Sequence, residues 1–162
     1  MEYSIREVAK IIGSKSNLLR EDTITMLLTD SRTVSFPEQS LFFALRTKTN
    51  DGHKYIPELY KLRVRNFVVS EMPTSTDMYA DANFLLVKDP LRALQQLAAH
   101  HRKKFEIPVI GITGSNGKTI VKEFLYQLLH TEFNIVRSPR SFNSQLGVPL
   151  SVWQINPKHT LG

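Results

Sequence analysis

Ile5, Val8, Ile11 and Ile12 recur at helical spacing and Gly13 follows them, so residues 3–13 are predicted as a short helix. The apolar pattern then shortens to strand length. TITMLLTDSR (23–32) starts as a strand and ends in polar residues, and SLFFALR (40–46), preceded by Pro37, is a second apolar run. TKTNDGH (47–53) is turn-rich and leads into a helix over KYIPELYKLR (54–63). NFVVSE (66–71) and NFLLVKD (83–89) read as two more strands. PLRALQQLAAHHRKKF (90–105) opens with Pro90 and sets Leu91, Leu94, Leu97 and Ala98 on one face, the mark of an amphipathic helix.

The character changes after Pro108. VIGITG (109–114) is a short apolar strand that runs into glycines. KTIVKEFLYQLLHTE (118–132) is a helix with Val121, Phe124, Leu125, Leu128 and Leu129 on its inner face. NIVRS (134–138) is a short strand, SQLGVPLSVWQI (144–155) a helix with Pro149 near its start, and KHTLG (158–162) enters another strand. The fold class is therefore α/β. Residues 1–88 form a small N-terminal domain, residues 89–105 a connecting helix, and residues 106–162 the opening of a second unit ordered strand–loop–helix–strand. That second unit is too short to bury both faces of a parallel sheet, so the chain reads as truncated.

Composition narrows the class. The 162 residues are 41% hydrophobic and 22% charged, ordinary for a soluble globular protein. No run approaches the roughly 18 apolar residues that span a bilayer, and MEYSIREVAK carries no export signal, so a cytoplasmic protein without membrane insertion is expected. The absence of cysteine excludes disulfides and thiolate metal sites. The net charge of +6 is scattered, and its densest cluster, HHRKK at 100–104, falls where cations complement a helix C-terminus. Without a basic stripe interleaved with aromatics, no nucleic-acid partner is expected.

GITGSNGKT (111–119) asks for a different reading. A strand, a glycine-rich turn and a helix start are the parts that hold a phosphate on backbone N–H groups. Gly114 and Gly117 let the backbone curl close to an anion, Lys118 reaches β- and γ-phosphates, and the Thr119 hydroxyl suits Mg²⁺. The usual spacing G-x-x-x-x-G-K-[ST] would place its first glycine at Ile112, whereas the chain has Gly111.

TGSNGKT (113–119) resembles the phosphate loop of the Mur ligases, ATP-dependent amide-forming enzymes of peptidoglycan precursor synthesis. SFNSQLGVPLSV (141–152) is similar to that family's N-[NST]-x-[IL]-G-x-P-L segment. DSR (30–32), SLFFALR (40–46) and NDGHKYI (50–56) resemble its N-terminal domain, which grips a UDP-linked substrate. These five segments, in the family's order, are spread over nearly the whole chain. The pattern is nearest to members that act on UDP-N-acetylmuramoyl-tripeptide and D-Ala-D-Ala, including a form fused to alanine racemase. Pyridoxal phosphate would be a cofactor only if such a domain followed outside this chain.

The resemblance implies two steps: ATP phosphorylates the peptide's terminal carboxylate, and the amine of D-Ala-D-Ala then attacks the acyl phosphate. It assigns Lys118 and Thr119 to catalysis, Thr113, Gly114, Ser115, Asn116, Gly117, Lys118 and Thr119 to ATP, and Thr119 to Mg²⁺. It assigns Ser31, Arg32, Arg46, Thr47, Asn50, Asp51, His53, Asn143 and Ser144 to the UDP-linked substrate. Thr47 stands where the family often has glycine, and Ser144 where it often has asparagine. The fragment alone is expected to be inactive. The alternatives are the ligase step that adds the third amino acid and a non-catalytic nucleotide-sugar binding module. Folate polyglutamate ligase relatives favour a G-K-G-S-T ending that is absent here. Plain structural readings also stand: either arginine as a surface residue, Asp51 as a helix cap, and Trp153 as core.

Overall fold

The computed structural model describes residues 1–16, 18–139 and 142–162. Two compact units make up the chain, Met1–Leu97 and Ala98–Gly162.

In the first unit, β1 (Tyr3–Ser4) leads directly into α1 (Ile5–Ile11) and pairs antiparallel with β2 (Thr23–Ile24). The Ser4 side chain caps α1 by accepting from the Glu7 N–H. Gly13, in the left-handed region at φ 69°, ends the helix where the sequence places the stop. The single run expected over 23–32 is divided between β2 and β3 (Met26–Leu28), because the intervening Thr25 N–H bonds to Gln39.

β3, β4 (Ser40–Phe43), β5 (Asn66–Val69) and β6 (Asn83–Leu86) form one parallel sheet in sequence order. β4 and β5 are buried along their whole lengths, which explains their unbroken apolar runs. Phe42, Phe67 and Phe84 lie at paired positions across three strands. Phe67 meets Phe42 edge-on at 6.4 Å and stacks on Phe84 at 5.3 Å. Ile56 and Leu59 of α2 (Ile56–Lys61) join this cluster with Leu28, Val64 and Tyr79. The helix expected from Lys54 begins instead as a 3-10 turn, Gly52–Tyr55, and Pro57 then occupies the first turn of α2.

One buried polar network pins the opposite ends of the strands. Asn83 Oδ1 accepts from the Leu19 and Arg20 N–H groups, and Asn83 Nδ2 donates to Arg20 O and to Asn66 Oδ1. Asn66 Nδ2 donates to Asp22 at 2.9 Å. Both asparagines are fully buried, and their amides are spent on these bonds.

α3 (Pro90–Lys103) contributes to both units. In the second unit, His101 of α3 is buried, faces Ile155 O through Nε2 at 2.8 Å, and lies 4.7 Å from the Trp153 ring. Arg102 donates to the carbonyls of Phe105 and Ile107, so the basic end of α3 is used in closing the helix.

The strands expected in this unit are reduced to isolated backbone bonds and one bridge. Gly162 donates to Pro108 O and accepts from Ile110 N–H, while Ile135 and Leu161 form a parallel bridge. VIGITG forms no strand, because backbone pairing reaches only its first residues. α4 (Lys118–Leu129) forms where the helix period predicts it but buries none of its residues. Phe124 is 60% and Leu128 72% exposed, which corrects the inner face expected for this helix: no layer among the described residues covers them. α5 (Gly147–Val152) is shorter than expected, six residues with Pro149 in its first turn. Among the described residues no helix is long and apolar enough to cross a membrane.

Candidate functional site

The loop at 113–119 opens α4. Gly117 is the N-cap, in the left-handed region at φ 79°, and no side chain caps the helix. Gly114 also has positive φ, at 143°. Two positions that L side chains rarely adopt therefore shape the loop, which accounts for both glycines. Lys118 folds back so that its ammonium donates to Gly114 O. An anion at the helix start would meet the first-turn N–H groups, the positive end of the helix dipole and this ammonium, so the residues fit a phosphate.

The loop borders a cavity of about 740 Å³ lined by Thr113, Gly114, Lys118, Thr119, Lys122 and Asn143 among others. Its lining joins the polar loop to apolar side chains, among them Leu125, Leu129 and Val136. Asn143 shares this cavity with the loop, whereas the Ser144 hydroxyl accepts from the Gly147 N–H at 3.0 Å and serves the start of α5. Gly147 has a separate necessity: a Cβ there would lie 2.8 Å from the Phe142 backbone. Ser141, the first residue of the quoted segment, lies outside the described residues. Lys122, which the sequence reading passed over, donates to Ser138 O at 2.8 Å and ties the loop after Val136 to α4.

The remaining candidates gather on the first unit, at the C-terminal rim of its parallel sheet, where ligands of open α/β sheets bind. Ser31 and Arg32 follow β3 in a 3-10 turn capped by Asp30. Asp30 accepts from Arg32 Nε at 2.9 Å and Nη2 at 2.6 Å, and these bonds hold its carboxyl down to about 2. The loop after β4 is closed by Thr47: its N–H and hydroxyl both donate to Asn50 O, and its hydroxyl accepts from Asn50 N–H. Asn50 Oδ1 accepts from the Tyr55 hydroxyl. Gly52 is forced by close approach, since a Cβ would sit 2.7 Å from Leu45 N.

Asp51 caps the next turn by accepting from the His53 N–H at 3.0 Å, and also accepts from Arg46 Nε at 2.8 Å. The backbone bond from His53 leads the interactions that hold the Asp51 carboxyl well below the usual carboxylate range. The plain reading of Asp51 as a cap is thus met, and Arg46 is an exposed surface residue, as its plain reading has it, ion-paired to Asp51.

A parallel α/β unit followed by a TGSNGKT loop at a helix start is the arrangement of the Mur ligases. The chain belongs to that family: "Mur ligase family, catalytic domain" matches residues 23–102.

The relatives are more particular. The chain is 36% identical over 146 residues, 90% of its length, to the UDP-N-acetylmuramoyl-tripeptide–D-alanyl-D-alanine ligase of Synechocystis sp.. It is 30% identical over 155 residues to the ligase of the same name from Bacillus subtilis. Among solved structures, MurF from Acinetobacter baumannii matches 99% of the chain with a TM-score of 0.86 and 25% identity. The MurF ligase of Thermotoga maritima in complex with ADP matches 84% with a TM-score of 0.71 and 27% identity. The chain spans about a third of the length of these curated relatives and solved chains.

Proposed function

We propose that this chain carries the ATP phosphate site and the UDP-substrate grip of an ATP-dependent ligase that joins D-Ala-D-Ala to UDP-N-acetylmuramoyl-tripeptide. Residues 1–88 are the substrate domain, 89–105 the connecting helix and 106–162 the first part of the ATP domain. The observation that carries the reading is the uncapped start of α4, shaped by Gly114 and Gly117 and sharing one cavity with Asn143. The ADP complex of a similar ligase supports it.

ATP bound there with Mg²⁺ supplies the phosphoryl group that activates the peptide's terminal carboxylate. The chain's own part is positioning and charge neutralisation. The N–H groups of 114–119 cradle the phosphates, with Thr113, Ser115 and Asn116 adding polar side chains. Lys118 leaves Gly114 O and turns to the phosphates, and the Thr119 hydroxyl ligates Mg²⁺. Asn143 faces the acceptor from across the cavity, and Ser144 acts through the geometry of α5. Ser31, Arg32, Arg46, Thr47, Asn50, Asp51 and His53 receive the uridine diphosphate on the first unit's rim. A cytoplasmic setting follows from the use of ATP and a UDP-linked precursor.

Calorimetric titration with UDP-N-acetylmuramoyl-tripeptide, UDP and Mg-ATP tests this reading. Both UDP compounds should bind to the chain. Mg-ATP binding without either of them would sink the assignment of residues 1–88. In the full-length ligase, Lys118→Ala should abolish turnover while the UDP compounds still bind.

A further inference from the structure

We infer that Glu71 is a built-in stand-in anion, occupying Arg46 until the diphosphate of the UDP-linked substrate displaces it. The inference rests on the reading that this substrate binds the first unit's rim. Arg46 is held by two unlike partners. Asp51 is fixed, because it also accepts from the His53 N–H and lies 2.6 Å from His53 Nδ1. His53 is itself anchored: Ser70 N–H donates to its Nε2 at 3.1 Å, so the ring proton is on Nδ1, facing Asp51.

Glu71, one residue beyond Ser70, accepts from Arg46 Nη2 at 2.5 Å. It is the exchangeable partner, with a side chain 61% exposed against 39% for Asp51. Two carboxylates against one guanidinium leave the clasp with a net negative charge, a poor reception for a diphosphate. A metal ion at Asp51, His53 and Glu71, whose donor atoms lie within 4.8 Å of one another, is disfavoured on other grounds. The guanidinium already bonds both carboxylates, and His53 Nδ1 carries a proton. Exchange of Glu71 for a phosphate oxygen keeps Arg46 anchored on Asp51 through Nε and restores a bidentate cation–anion geometry.

The test compares the native chain with Glu71→Gln, which keeps a side-chain oxygen for Arg46 but removes the charge. UDP and inorganic pyrophosphate should bind Glu71→Gln roughly two- to fivefold tighter, the range of an exposed ion pair, and uridine should bind equally to both. Arg46→Gln should weaken UDP binding and leave uridine unchanged. Native affinity or weaker for UDP in Glu71→Gln overturns the stand-in role while leaving the substrate reading intact. UDP binding to neither protein overturns the substrate reading, and the inference with it.

Discussion

The two units use the same kind of sequence and reach different ends. In the first, β4 and β5 are buried throughout, and a ladder of Phe42, Phe67 and Phe84 is covered by α2. In the second, α4 is a 12-residue helix that buries none of its residues, and the segments around it are joined by a few backbone bonds. An amphipathic period determines which face a helix offers; whether the face is covered depends on a partner elsewhere in the chain or beyond it.

The comparison is sharpest at two phenylalanines. Phe67→Ala removes a fully buried ring in contact with two others and should cost about 3–5 kcal/mol. Phe124→Ala removes a ring that is 60% exposed and should fall within about 0.5 kcal/mol of native, since alanine also favours the helix. Urea unfolding followed by circular dichroism reads both. A cost for Phe124→Ala comparable with that of Phe67→Ala would mean that the open face is covered in solution, and the contrast would fail.

Asn83→Ala attacks the closed unit through polarity instead of packing. The change strips the Leu19 and Arg20 N–H groups and Asn66 Oδ1 of their shared partner inside a buried site. The expected cost is about 2–3 kcal/mol in the same measurement. A near-neutral result would show that water replaces the amide there.

Acid should separate the units. Burial holds the His101 imidazole below its ordinary value, partly offset by its bond to Ile155 O, while Lys104 and His100 add repulsion. The unfolded chain then takes up a proton that the folded unit resists. Stability of the second unit should decline as pH falls below about 6.5. In the first unit, Asp30 and Asp51 are depressed below the ordinary carboxylate value of 3.8, so their contribution is present above that value and is lost only as pH falls beneath it. Trp153, the chain's one tryptophan, lies against His101 and reports the second unit by fluorescence. His101→Gln should flatten its decline between pH 6.5 and 5. An unchanged profile would place the sensitivity elsewhere, for instance at His159, which burial also lowers.

Legibility in the sequence followed locality. The runs of β4 and β5 were readable because both sheet faces are buried, and the TGSNGKT loop because left-handed glycines leave a trace in residue type. β1 and β2, two residues each, lie below the length at which a period can be seen. The paired Asn-Phe starts of β5 and β6 look unremarkable until register sets Asn66 beside Asn83 and Phe67 beside Phe84. Glu71 went unread because its partner Arg46 is 25 residues away.

The smallest expected effect lies within the closed unit, where two helices end in the same motif on different residues. After α1, Gly13 N–H bonds to Lys10 O and Ser14 N–H to Ala9 O; after α2, Arg63 N–H bonds to Tyr60 O and Val64 N–H to Leu59 O. Both are Schellman ends, and the second is completed by Val64 and Leu59 in the core. Gly13 adopts its φ of 69° without penalty, whereas Arg63 holds φ 70° against the steric cost of a Cβ. Its side chain returns, among the described residues, an exposed ion pair with Glu38 at 3.7 Å. Arg63→Gly should therefore stabilise the first unit by about 0.5 kcal/mol, the relief of strain being partly offset by the greater freedom of glycine in the unfolded chain. Gly13→Ala should cost about 1 kcal/mol, and the same urea unfolding reads both changes. If Arg63→Gly destabilises, the Arg63 side chain contributes more than its exposed ion pair indicates, and the two helix ends are not equivalent.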